Sequence, residues 1–175
     1  MYKKIILMGY MGSGKSVLGQ KIAQKLNYSF LELDTYIANK EKESISYIFK
    51  IKGEIYFRKM ESTLLKEILN FNENCVISLG GGTPCFGDNL KSIKEAKSAT
   101  SIYLHATIKE LSTRLFKEKI TRPIISHIKT KEELVDFIGK HLFERSFYYN
   151  QADILIKTDL KTPDQLTQEI LKKLF

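Results

Sequence analysis

Short apolar runs alternate along this chain with stretches whose apolar residues recur at helical spacing. The runs near residues 3–8, 29–33, 75–79, 100–105 and 153–157 read as strands, with helices between them. That alternation predicts an α/β fold with a mostly parallel sheet. No internal repeat, low-complexity tract or Pro/Gly/Ser-rich linker interrupts it, so residues 1–175 are expected to form one domain.

The first strand runs into Gly9-Tyr10-Met11-Gly12-Ser13-Gly14-Lys15-Ser16, which fits the phosphate-loop pattern G-x-x-x-x-G-K-[ST]. Glycines let the backbone curl so that its N–H groups form a nest for phosphate oxygens. Val17, Leu18, Ile22, Ala23 and Leu26 follow at helical spacing, placing a helix N-terminus at the phosphates. Gly12, Ser13, Gly14, Lys15, Ser16 and Val17 are therefore the candidate nucleotide contacts. Lys15 would reach the β- and γ-phosphates, and the Ser16 hydroxyl would join a Mg²⁺ shell.

Candidate acceptor chemistry follows. Glu32 and Asp34 close the second strand with one parity, at the end where open α/β sheets bind ligands. They either solvate the strand end, or support Mg²⁺ through water and accept a hydroxyl proton. Ser44 caps a short helix from Ile45 to Lys50, Gly53 ends it, and a longer helix runs to Leu69. In the longer helix Arg58 and Glu61, spaced i, i+3, form a surface pair or orient an arginine toward a carboxylate. Gly80-Gly81-Gly82 after the third strand presents bare backbone, and a plain turn rarely requires three glycines. That strand carries no terminal Asp, and no Asn-Lys-x-Asp signature appears, which disfavours a GTPase. Beyond Arg114, Pro123 prevents a continuous helix over Thr121–Ile125. Arg122 is then a solvated loop arginine, or a group that closes on the nucleotide. Phe147, Tyr148 and Tyr149 read largely as core aromatics.

Composition narrows the field. The net charge of +8 invites a nucleic-acid reading, but the lysines are scattered and no aromatic-interleaved basic block appears. No nucleic-acid partner is expected. No apolar run approaches the roughly 20 residues of a membrane span, and the N-terminus lacks a signal peptide, so a cytoplasmic protein is expected. Cys75 and Cys85 lack metal-ligand spacing and read as reduced thiols. The three histidines show no metal spacing and receive no role.

Taken in order, these motifs resemble shikimate kinase, a family in the nucleoside-monophosphate-kinase-like group, from Ile5 to about Leu174. The segments carrying the likeness are the phosphate loop, Glu32-Leu33-Asp34, Gly53-Glu54-x-x-Phe57-Arg58-x-x-Glu61, Leu79-Gly80-Gly81-Gly82, Arg122-Pro123 and Glu144-Arg145 with Tyr148/Tyr149. The resemblance implies a three-layer α/β fold whose five parallel strands run in the order 2-3-1-4-5. It implies a lid at approximately 119–131 and an acceptor-binding region at approximately 34–61. It also implies ATP and shikimate as substrates, Mg²⁺ as cofactor, phosphorylation of the shikimate 3-hydroxyl, and a monomer. Lys15, Asp34 and Arg122 match catalytic positions. Asp34, Arg58, Gly81 and Arg145 match acceptor contacts, with Glu61 orienting Arg58. Ser16 and Glu32 match the metal site, and Arg114, Lys161 and Pro163 the adenine contacts. Glu32 departs from the family's Asp by one methylene, so a metal role there requires the strand or the ion to adjust. A gluconate or nucleotide kinase is the nearest rival; a nucleic-acid-binding module and a non-catalytic nucleotide binder are the others.

Overall fold

Each residue of β1 (Lys4–Met8) is buried, which requires cover on both faces of the sheet. Ile6 and Met8 enter the core on one face, Ile5 and Leu7 the core on the other, in the period-two alternation of a strand. The structure, a computed structural model, describes residues 3–118 and 122–175. β1 is flanked by β3 (Cys75–Ser78) and β4 (Ala99–His105), with β2 (Ser29–Glu32) and β5 (Ile154–Lys157) at the edges. All pairings are parallel and the order is 2-3-1-4-5.

The helices are α1 (Lys15–Leu26), α2 (Leu33–Glu41), α3 (Ile45–Leu69), α4 (Asn89–Glu95), α5 (Ile108–Glu118), α6 (Lys131–Tyr149) and α7 (Pro163–Leu174). Leu18 and Ile22 of α1 pack with Leu166 and Ile170 of α7 on one face. Residues of α2, α3 and α4 cover the other. A third cluster joins Tyr10 of the phosphate loop to Leu111 and Leu115 of α5 and Leu134 and Ile138 of α6. Ile125 and Ile128 are buried in it, which anchors the later part of the segment expected to be a lid. Residues 119–121 lie outside the described residues, and Lys131 already belongs to α6, capped by Thr130.

Some local expectations change. The second strand stops at Glu32, and Leu33 turns inward as the first residue of α2. Asp34 therefore reaches the crevice from a helical first turn, not by strand parity, and its charge suits the positive end of that helix. Val17 is half exposed, so it belongs to the rim of the site and not to the core face of α1. Phe147 is 71% exposed and is no core residue, whereas Tyr149 is wholly buried. α3 runs on through Gly53, but that residue breaks it at φ 81°, ψ 169°, so two helical pieces meet there with Ser44 capping the first. Lys4 is buried, and its ammonium donates to the carbonyls of Phe71 (2.6 Å) and Glu73 (2.9 Å), tying the turn before β3 to the central strand. Both cysteines are free, and burial pushes the Cys85 thiol up to about 11. No helix among the described residues is long and apolar enough to cross a membrane.

Candidate active site

Gly14 caps α1 in the left-handed conformation (φ 95°, ψ 13°), which a side chain would oppose. No side chain caps the helix, and its first turn holds no acidic residue, so its positive end is uncompensated. Gly12 through Leu18 line a cavity of about 580 Å³ at this end of the sheet. This is the geometry of an anion site. Lys15 Nζ donates to the carbonyls of Gly9 (2.9 Å) and Tyr10 (3.0 Å). Burial pulls its pKa down to about 8, against the opposing charge of Asp34.

The same cavity is lined by Glu32, Asp34, Gly81, Arg114, Arg122, Lys161 and Pro163. The nucleotide contacts expected from sequence are thus brought together. Arg114 is held by Glu110 (2.8 Å) and donates to the Gly12 carbonyl (3.1 Å). Lys161 pairs with Glu169 at 2.6 Å, and Pro163 opens α7. Arg122 donates from Nε (2.9 Å) and Nη2 (2.6 Å) to one oxygen of Glu118, which lines the cavity beside it. The Ser16 hydroxyl donates to the Glu32 carboxylate. The extra methylene of Glu32 therefore spans to the loop serine, and the two present hard oxygen donors of the kind Mg²⁺ takes. Among the described residues no three His, Cys, Asp or Glu side chains gather into a metal site. An ion here would complete its shell with phosphate oxygens and water.

Arg58 and Arg145 are not in the lining of that cavity; Arg145 stands against Gly81 of its floor and Arg58 against Gly82 next to it. A β-carbon at Gly82 would come within 2.7 Å of Arg58 Nη2. One at Gly81 would stand 3.6 Å from Arg145 Nη1, and one at Gly80 3.1 Å from Asp34 Oδ1 and 3.2 Å from Glu61 Oε1. Gly80 and Gly82 therefore make room for Asp34 and Arg58, and Arg145 stands at ordinary contact distance from Gly81. Glu61 is fully buried and accepts from Arg58 Nη1 (2.8 Å) and Thr83 Oγ1 (2.6 Å). Burial and then the Glu61 charge push the Asp34 carboxyl above its usual range, while Lys15 and Arg58 pull it back. Arg145 lies with Cζ 5.6 Å from the Tyr10 ring centre. A carboxylate raised in affinity for protons, beside two arginines and a phosphate nest, can orient a hydroxyl and take its proton during phosphoryl transfer.

Comparison with known proteins agrees with this geometry. The shikimate kinase family profile matches residues 11–175. A shikimate kinase from Flavobacterium johnsoniae is 44% identical over 169 residues, covering 97% of both chains. The chain belongs to the shikimate kinase family. Among solved structures, the shikimate kinase from Bacteroides thetaiotaomicron superposes with a TM-score of 0.90 at 36% identity, covering 98% of this chain and 97% of that one. The Acinetobacter baumannii enzyme, solved in complex with shikimate, gives 0.85 at 28% identity over 98% and 92%. A gluconokinase from Sinorhizobium meliloti, at 19% identity and 0.62 over 98% and 90%, shares the fold alone.

Within this family member, the sequence reading missed several supporting groups. Thr83 follows the glycines and steadies Glu61, a role no local pattern announces. Glu118 precedes Arg122 by four residues, a helical pairing interval that was there to be read. Tyr10 sits inside the phosphate-loop motif at a position the motif leaves open, yet its hydroxyl bonds His141 Nδ1 at 3.0 Å.

Proposed function

We propose that this chain transfers the γ-phosphoryl group of ATP to the 3-hydroxyl of shikimate, giving shikimate 3-phosphate and ADP on the route to chorismate and the aromatic amino acids. The observation that carries the reading is the convergence of Asp34, Arg58 and Arg145 on Gly80–Gly82, directly beside the phosphate loop. A small acceptor with a carboxylate and hydroxyls suits two arginine forks and one carboxylate.

In this reading Arg58 and Arg145 grip the acceptor carboxylate, and the Gly81 backbone lies against the acceptor. Glu61 keeps Arg58 charged and in place. Asp34 binds the hydroxyls and accepts the proton as the acceptor oxygen bonds to the γ-phosphorus and the bond to the ADP oxygen breaks. Lys15 and Arg122 neutralise charge on the transferring group, where positioning and electrostatics supply most of the catalysis. Ser16 and Glu32 would hold Mg²⁺, which would spread the phosphate charge when bound. Arg114, Lys161 and Pro163 border the adenine. The segment around Arg122, approximately 119–131, acts as the lid over a single kinase domain spanning 1–175, with its acceptor-binding region at approximately 34–61. Both sites are built from one chain, which is consistent with a monomer, and we place the enzyme in the cytoplasm.

The test is ADP release from ATP and Mg²⁺ with shikimate, gluconate or nucleoside monophosphates. Strong stimulation by shikimate alone is expected. ATP binding without that stimulation would overturn the acceptor assignment and leave the phosphate loop standing.

A further inference from the structure

Tyr149 closes α6 and is wholly buried, with its ring 5.1 Å from that of Tyr103 in the core beneath the glycines. A phenylalanine would fill that space equally well. A buried hydroxyl is costly unless it is hydrogen-bonded, so its partners explain its presence. The hydroxyl donates its proton to the carbonyl of Gly81. Arg145, one helical turn earlier, brings its guanidinium to the same peptide: a β-carbon at Gly81 would stand 3.6 Å from its Nη1, and its charge acts on the phenol. Burial raises the phenol far above its ordinary range, so it stays neutral and keeps the proton it gives to Gly81. The Arg145 guanidinium also lies over the Tyr10 ring, its Cζ 5.6 Å from the ring centre. One hydroxyl thus holds the Gly81 peptide against which the Arg145 fork stands.

We propose that Tyr149 is a positioning residue for the acceptor carboxylate, orienting the Gly81 peptide and the Arg145 guanidinium as one unit. The inference rests on the reading of Arg145 and Gly81 as acceptor contacts.

Tyr149→Phe, assayed beside the unaltered enzyme with shikimate and ATP, is expected to raise the acceptor KM about 3- to 10-fold, the worth of one hydrogen bond. The KM for ATP and kcat are expected to stay within about twofold. In an Arg145→Lys background the same change should add less than about twofold, because its effect runs through the guanidinium. An equal fold-change in both backgrounds, or an equal rise in the KM for ATP, would overturn the proposal. Loss of the fold in Tyr149→Phe would also overturn it, since the hydroxyl would then be chiefly structural. Failure of the unaltered enzyme to turn over shikimate would instead remove the acceptor reading itself, and this inference with it.

Discussion

Gly82→Ala isolates the acceptor half of the site with a single methyl group. The backbone of Gly82 sits at φ −90°, ψ −12°, which alanine adopts without strain. The added carbon, however, would stand 2.7 Å from Arg58 Nη2, where ordinary contact begins at 3.4 Å. The guanidinium must therefore retreat by about 0.7 Å, the scale on which a bidentate grip on a carboxylate fails. Losing one charge-assisted hydrogen bond costs about 1.5–3 kcal/mol, or about 10- to 100-fold in acceptor KM. The obstacle is the far end of a long side chain, so Tm should hold or rise slightly as the unfolded chain loses freedom. Gly19→Ala is the matched control. There the added carbon would lie 2.3 Å from Phe30 Cε2, inside the core beneath α1. Overpacking of that kind costs about 1–3 kcal/mol, partly offset by about 1 kcal/mol of helix propensity. Thermal unfolding and two-substrate kinetics on both variants decide the matter. Gly82→Ala should change the acceptor KM alone, and Gly19→Ala should change Tm alone. An acceptor KM within about twofold of the parent in Gly82→Ala, or an equal rise in the KM for ATP, would refute the reasoning.

Lys15→Ala should cut turnover by about 10²- to 10³-fold or more while the protein stays folded by circular dichroism; an undiminished rate would remove Lys15 from the chemistry. Because burial lowers Lys15 to about 8 and only its protonated form neutralises phosphate, kcat/KM for ATP should fall as pH rises through about 8, well below the ordinary lysine range. A profile flat from about pH 7 to pH 9.5 would contradict this. Arg122→Ala should lower kcat by about tenfold or more with Tm unchanged, and an unaltered kcat would count against its lid role. Glu61→Gln removes a charge that raises Asp34, so the acid limb of the kcat profile should move to lower pH. The amide also turns one N–H₂ toward Arg58 or Thr83, so Tm should drop as well; an unmoved limb would show that Asp34 takes no proton.

The phosphate loop was legible because its chemistry is contiguous: one backbone segment supplies the nest, the lysine and the serine. The alternation of strands and helices was legible for a similar reason, since burial on two faces leaves β1 and β3 as short apolar runs. Asp34 was expected in the crevice by strand alternation, and it lines the cavity from a helical first turn instead. Strand alternation and a helical first turn both aim residues 32 and 34 toward the crevice, and only the inward turn of Leu33 separates them. Phe147 and Tyr149 show a further limit. Two positions along α6 differ by roughly half a turn, so aromatics that look alike in sequence part into solvent and core. Lys4 opens the first strand with a charge that no local pattern places, and carbonyls from a turn nearly seventy residues away receive it.

The glycines of the two halves answer different physical needs, which explains why one set was easier to interpret than the other. In the phosphate loop, Gly14 is required by conformation: its positive φ starts α1 with bare N–H groups aimed at the cavity. Gly80, Gly81 and Gly82 are not among the residues with positive φ, so conformation does not require them. Gly80 and Gly82 are required by occupancy, because Asp34 with Glu61, and Arg58, approach where a β-carbon would stand, whereas Arg145 stands at ordinary contact distance from one at Gly81. Those side chains arrive from α2, α3 and α6, far apart in the chain, so no local pattern could assign a neighbour to each glycine. A triplet that serves space and not turning therefore marks where distant functional side chains meet. Substitutions there should alter ligand discrimination, whereas substitutions of the phosphate-loop glycines should alter the backbone itself.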